Sequence, residues 1–559
     1  MALNIIKIIQ KSFLLSLAIS LTSISTSALS QTTLVHNVKG YTYLNNGQLA
    51  EFSAIVFEDG KVITTGANLQ KNYPDALVID GKGKTLLPGL IDGHGHYLGL
   101  GFNLLQVDVR DIASKQKTAF KVAQYAKANP ELNWIKGRGW NQVLWPSKEF
   151  PTAKDLDEYV ADKPVVLGRV DGHAVWLNSK AMSLAGITRN TISPDGGEIV
   201  KDKTGEPTGI LIDNAENLLW ENVPKQTDAE RLAAFNKVNQ HLLGLGITSV
   251  HDAGIDHNTY HFLQDQIKAE NFKVRVYAML AATDDKLEEM LKHGYISDDN
   301  ELLSIRSVKI YGDGALGSRG AAMLSAYHDD PKNTGLLLTK PDRLRELYKI
   351  IFNYDFQINI HAIGDRANKI ALDEFEFAFK NKASSKNLRN RIEHAQVIQL
   401  EDIPRFKALD ILPSMQPTHA TSDKNMAQDR IGAQRLKGAY AWQTFLKQGS
   451  KVIAGSDFPV ELANPFFGLH AAVTRQDRKN LPEQGWIKEE SLTIEQAFKA
   501  FTLDAAYGAH QDKTLGGLEQ GKWADFILID QDIFTIEAKD IWKTKVLETW
   551  VAGKKQHSL

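Results

Sequence analysis

The sequence predicts an α/β protein: a (β/α)8 TIM-like barrel carrying a small β-sandwich built from both ends of the chain. Three observations predict it. From roughly residue 84 to 510, apolar strand-like runs alternate with amphipathic helical stretches, as expected of parallel strands joined by crossover helices. Before 84 and after 510 the chain reads instead as short β-rich runs separated by turn residues. At 559 residues it is too long for one ordinary core. About eight β–α units over the centre suit a closed barrel better than an open doubly wound sheet.

Composition narrows the function classes. The apolar fraction is 43% and the charged fraction 24%, ordinary for a soluble globular protein and unlike bulk disorder, collagen or a polytopic membrane protein. Lys+Arg total 65 against 67 Asp+Glu, a formal charge of −2, which argues against a dedicated nucleic-acid binder. Cysteine is absent, so the sequence offers no disulfide framework, thiolate metal site, cysteine nucleophile or lipidated cysteine.

Taken in order, residues 1–30 read as a secretory signal peptide. Lys7 and Lys11 precede an apolar stretch from Ser12 to about Ile24, and Ala28-Leu29-Ser30 forms a small-x-small cleavage site before Gln31. The apolar core is short for a bilayer span. Export, to a bacterial periplasm, is therefore expected, with no stable membrane insertion after cleavage. Residues 31–83 form the first part of the sandwich: Ala54–Phe57 and Lys61–Thr64 are strands joined by the turn Glu58-Asp59-Gly60. Residues 84–510 form the barrel. Its strand candidates are Leu86–Ile91, Val165–Val170, Ile247–His251, Val274–Leu280, Val308–Tyr311, Ile358–His361, Arg391–His394, Ile411–Gln416 and Lys451–Gly455. Helices are expected between them, as at Arg343–Phe352 and Asn368–Phe379. The stretch at about 97–245 is too long for the first units alone and predicts an insertion. Residues 511–559 return to strands at Ala524–Ile529 and Val546–Val551, completing the sandwich.

Chemistry-bearing residues collect at strand ends. In Pro88-Gly89-Leu90-Ile91-Asp92-Gly93-His94-Gly95-His96, an apolar strand runs into His-x-His. Residues i and i+2 of an extended chain point the same way, so both imidazoles can face one point. Neutral imidazole is a common metal ligand. His361 and His394 end two further apolar strands, and Asp457 follows Val452-Ile453-Ala454. Any one of these is commonly a polar loop residue. Four histidines and one acid at the C-terminal ends of barrel strands would share one mouth, and together they predict a metal centre. Gly312-Asp313-Gly314-Ala315-Leu316-Gly317 matches the glycine pattern of dinucleotide sites, with Asp329 and Asp330 near the required acidic offset. It lies mid-chain beside Lys309 and Arg319, and nucleotide binding is not the expectation.

The order His-x-His, Lys, His, His, Asp resembles the amidohydrolase superfamily of metal-dependent hydrolases. More narrowly it resembles the amidohydrolase-3 (YtcJ-like) family, which includes N-substituted formamide deformylase. Further matches are Gly137-Arg138-Gly139-Trp140, Asp171-Gly172-His173-Ala174, Lys309-Ile310-Tyr311-Gly312-Asp313-Gly314, Gly317-Ser318-Arg319, His361-Ala362-Ile363-Gly364-Asp365 and Gly455-Ser456-Asp457, over essentially the whole mature chain.

The resemblance implies that His94 and His96 hold one divalent ion and His361 and His394 a second, zinc being the first expectation. Lys309, carboxylated on its amine, would bridge them. The plain alternative for Lys309 is a buried lysine paired with an acid. The ions would acidify a water and polarise the substrate carbonyl, and Asp457 would carry the proton to the leaving amine. No organic cofactor is implied. His173, Arg319, Trp140 and Trp176 are candidate substrate contacts, with Trp145 considered beside them. Each has a bland alternative, as a structural histidine, an ion-paired arginine or core tryptophans. His251 and His419, near other strand ends, are candidates for support of the site. The expected reaction is hydrolysis of a non-peptide C–N bond in a small amide-type molecule. Ester, lactone or carbamate hydrolysis, or ring deamination, would use the same centre, and a metal-bearing binding protein without turnover is the rival from another class. Monomer and homodimer stay open, as do metal identity and a one-ion or two-ion centre.

Overall fold

The computed structural model describes residues 31–44 and 46–559, so the expected signal peptide lies outside the described residues. Eight parallel strands form the barrel: Leu90–Gly95, Ile247–Ile255, Arg275–Ala281, Leu303–Tyr311, Gln357–Ala362, Arg391–His394, Leu412–Met415 and Ile453–Ala454. Each pairs with the next in sequence order. The last and first strands meet through a bridge between Gly95 and Phe458, with Asp457 N–H donating to the His94 carbonyl at 2.7 Å. Closure is thus nearly complete, and made beside the residues that matter. The strands are buried along nearly their whole length, and apolar residues alternate in them with buried polar ones such as Lys309, Asn359, Arg391 and Glu393. The outer helices show the complementary pattern. Pro341–Asn353 begins at a proline and buries Leu344, Leu347, Tyr348, Ile351 and Phe352, a helical-period stripe.

Two strand assignments differ from expectation. Val165–Arg169 is a strand, but of the insertion rather than the barrel. Its apolar text carries no mark of which sheet it joins. The expected strand Leu86–Ile91 is divided at Gly89: Leu77–Pro88 belongs to the terminal sheet and Leu90–Gly95 opens the barrel. A Cβ at Gly89 would lie 2.1 Å from Thr248 Oγ1 on the neighbouring strand, so only glycine lets the chain pass there.

Both chain ends form one seven-stranded sheet ordered Lys554–Ser558, Val546–Val551, Phe526–Ile529, Leu77–Pro88, Thr33–Tyr43, Leu49–Glu58 and Lys61–Gly66. The sheet rolls upon itself. Phe57 touches Phe526 and Trp550 at ring centroid distances of 5.7 and 6.0 Å, although two strands separate Phe57 from Phe526 in the hydrogen-bonded order. This gives sandwich-like packing around its own apolar core. Between the first barrel strand and the helix Asp228–Gly244 stands the insertion, a second sheet of six strands running from Val107–Asp108 to Pro207–Asp213. Among the described residues, no helix is long and apolar enough to cross a membrane.

Candidate metal centre

Barrel register brings the strand-end residues together. Tyr311 pairs with His361, and Ala362 with His394, so the fourth, fifth and sixth strands end at one level. Donor atoms of His94, His394 and Asp457 lie within 4.8 Å of one another, and all three residues are buried. His94 and His394 have ring centroids 4.9 Å apart, and His361 and His394 4.5 Å. His96 caps the helix Tyr97–Asn103 and places Nε2 3.2 Å from Asp457 Oδ1. Lys309 Nζ lies 3.3 Å from His94 Nε2. The six residues named for the centre therefore surround one volume.

Neighbours aim these rings. His94 Nδ1 is 2.5 Å from Glu393 Oε2, and His394 Nδ1 is 2.8 Å from Gln416 Oε1. Donating Nδ1–H to these oxygens leaves each Nε2 lone pair for the shared volume. Asp92 accepts from Ser456 N–H and Oγ and so holds the turn that presents Asp457. Glu393 and Gln416 were absent from the sequence expectation. The available signal was an acid on a fully buried strand, which is costly without a partner. What that partner was depended on register.

The electrostatics suit a cation. Burial, then the charge of neighbouring groups, holds His361 and His394 well below the ordinary imidazole range, so both are neutral and free to ligate. Burial also lowers the Lys309 amine, and no carboxylate reaches it within ion-pair distance among the described residues. For Asp457, burial alone would raise the carboxyl. The adjoining His96 and the fields of His94 and His394 outweigh it and hold the group well below the carboxylate range. Asp457 Oδ1 is buried and faces His96 Nε2 at 3.2 Å without the geometry of a hydrogen bond. A buried carboxylate oxygen amid imidazole nitrogens is a donor set that suits a divalent metal.

The centre opens into a cavity of about 1880 Å³ between the barrel mouth and the insertion. His173 lines it, with Nδ1 2.6 Å from Asp213 Oδ1 and its ring 5.5 Å from that of His361. His419 lines it too, its Nε2 3.6 Å from Asp457 Oδ2. His251 lies beneath the centre, 3.1 Å from both the Gly93 carbonyl and Arg391, away from the cavity.

Three expected substrate contacts are corrected. Trp140 and Trp176 are fully buried in the insertion core with Trp145, all ring centroids 6.2 Å apart. Their indole N–H groups donate to the carbonyls of Leu167 and Thr152, so the one polar atom of each ring is used inside the fold. Arg319 forms a two-pronged ion pair with Asp329 at 3.1 and 3.0 Å and does not line the cavity. The glycine run at 312–317 packs around Asp313, whose carboxylate accepts from the N–H groups of Ala322, Ile363 and Gly364.

The model of the amidohydrolase family matches residues 77–555. The chain belongs to that family. It is 31% identical over 530 residues to the putative amidohydrolase YtcJ of Bacillus subtilis strain 168, covering 92% of this chain and 97% of the relative. It is 25% identical to the N-substituted formamide deformylase of Arthrobacter pascens, covering 89% and 94%. The solved structure of an uncharacterized metal-dependent hydrolase from Pyrococcus horikoshii OT3 matches with a TM-score of 0.73 and 27% identity, over 91% of this chain and 99% of that one. This amidohydrolase is thus a hydrolase with the barrel fold. Its family implies a divalent metal, and the His94, His394 and Asp457 group fits one.

Proposed function

We propose that this amidohydrolase cleaves a non-peptide C–N bond, of amide type, in a small molecule. The observation that carries the reading is the convergence of His94, His394 and Asp457 from three strand ends, their donor atoms within 4.8 Å of one another. His94, His96, His361, His394 and a carboxylated Lys309 would hold one or two ions, zinc first. A divalent ion there supplies an acidified water and polarises the scissile carbonyl.

The chain's own residues supply the remainder. Asp457, ionised and buried, accepts the proton of the attacking water at Oδ1 and returns it to the leaving nitrogen. Glu393 and Gln416 keep His94 and His394 in one tautomer. A buried amine without an acidic partner favours carboxylation of Lys309: burial favours the neutral amine, which would add carbon dioxide and release one proton, leaving an anionic carbamate. His173, oriented by Asp213, is placed to touch the substrate from the insertion side. The pattern of residues 1–30 supports export of the mature enzyme to the periplasm.

The test is metal analysis of protein purified without added metal, beside a panel of amides, esters and lactones. Bound zinc, manganese, iron or nickel, with amide cleavage abolished by chelation and restored by the ion, is expected. Activity indifferent to chelators in metal-free protein would remove the reading. Cleavage of esters or lactones alone would keep the hydrolase and replace the bond.

A further inference from the structure

The insertion contributes one cation to the cavity that, among the described residues, has no carboxylate in ion-pair contact. Arg138 lies on the insertion strand Ile135–Trp140 and lines the cavity shared with the metal centre. Its Nη2 donates to the Val170 carbonyl at 3.2 Å, which fixes the guanidinium. Its Nε is buried without a partner, and no carboxylate among the described residues reaches it within ion-pair distance. Apart from Lys309, which belongs to the candidate centre itself, the other cavity cations differ. Arg110, Lys340, Arg343 and Lys424 have carboxylates at 2.7, 2.7, 2.6 and 2.7 Å, and Arg169 is paired with Asp171. Arg478 and Lys479 lie exposed at the rim.

The acids around Arg138 are committed elsewhere. Asp171 takes Arg169 and the His173 N–H, and Asp213 gives Oδ1 to His173 while its Oδ2 stays buried without a hydrogen bond and makes no ion pair with Arg138. Glu216 also lines the cavity, but burial pushes its carboxyl up to about 8, so it is uncharged at neutral pH. Gly172 makes room for the guanidinium: a Cβ there would lie 2.7 Å from Nη2, and its φ of +76° suits glycine. An arginine stays protonated even when buried, and leaving it without a counter-charge is costly. Its planar fork matches a carboxylate.

We propose that Arg138 is the receptor for a carboxylate on the substrate, so that the insertion selects anionic amides for the metal centre. This rests on the hydrolytic reading above and narrows its substrate class to amides bearing a free acid, of the N-acyl amino acid kind. Asp457 is the acid whose charge acts most on Arg138, which places receptor and proton carrier on one cavity.

The test uses the full metal-loaded protein and matched pairs: the N-formyl and N-acetyl derivatives of both enantiomers of alanine and phenylalanine, each as free acid and as carboxamide. Calorimetry reads binding and a separate assay reads turnover. At least one acid is expected to bind about tenfold or more tightly than its carboxamide, the scale of a charge-assisted hydrogen-bond pair. Arg138→Met should erase that preference and Arg138→Lys should keep part of it. If Arg138→Met does not fold, Arg138→Lys carries the test through a severalfold loss of preference. No preference in any pair, absence of binding included, or a preference that survives substitution overturns the receptor. Preference without hydrolysis of any member strikes the hydrolase reading and leaves the receptor standing.

Discussion

Two residues of the centre, His394 and Asp457, hold left-handed backbone conformations, with φ of 73° and 60°. Non-glycine residues adopt this region at a cost, and such strain gathers at functional sites. His394 is the last residue of its strand and Asp457 follows the last barrel strand, so both stand where the chain leaves the sheet. The residue-scale predictions follow from the division of labour among these groups. Asp457→Asn should leave metal content near normal and lower turnover by roughly 10²–10⁴-fold, the usual worth of a positioned proton carrier. Steady-state kinetics with metal analysis checks this, and near-wild-type rates would assign the proton to another group. Glu393→Gln should weaken metal binding by about 10–100-fold, because His94 loses the anion that fixes its ring. Competition against a chelator of known affinity reads that change, and unaltered affinity would make Glu393 a packing residue.

At the scale of elements, the strand ends were the legible part. Apolar runs ending in histidine or aspartate named His94, His96, His361, His394 and Asp457, because a barrel sends every strand's C-terminal end to one mouth. Glu393 and Gln416 were not legible, since their partners lie 299 and 22 residues away and only register brings them together. Trp140 and Trp176 misled for a related reason: a large aromatic beside a motif reads alike whether it faces a core or a cavity. Val165–Arg169 was legible as a strand and not as a member of a particular sheet. The terminal sheet is fastened to the barrel by a buried ion pair, Arg275 on the third barrel strand with Asp525 just before Phe526–Ile529, at 2.6 and 3.0 Å. Asp525→Ala should cost about 3–5 kcal/mol, the penalty for stranding a buried charge, and should lower the thermal midpoint. An unchanged midpoint would mean that the two sheets are held by apolar packing alone.

For the whole molecule, the candidate metal centre and the insertion line one chamber, so the proposed chemistry and the proposed selection would come from different parts of the chain. Acid sensitivity also belongs to this scale. Burial, with the charges of Arg306 and Arg389, lowers His510 from 6.5 to about 3, and its Nε2–H donates to the Leu388 carbonyl at 3.1 Å. A depressed folded-state value means the unfolded chain takes up the proton first. The stability from keeping His510 neutral is therefore complete above pH 6.5 and is lost as pH falls toward 3. The deficit of His510→Asn relative to wild type should be largest at pH 7–8 and shrink toward pH 4, as followed by thermal unfolding. A deficit that is constant or grows in acid would contradict this assignment.

The central claim is that strand ends far apart in sequence form one metal centre. Anomalous X-ray scattering from crystals of the purified protein tests it most directly. A peak at bonding distance from His94 and His394 and beside Asp457 is predicted. A bound metal elsewhere, with those three side chains ligating nothing, would contradict it.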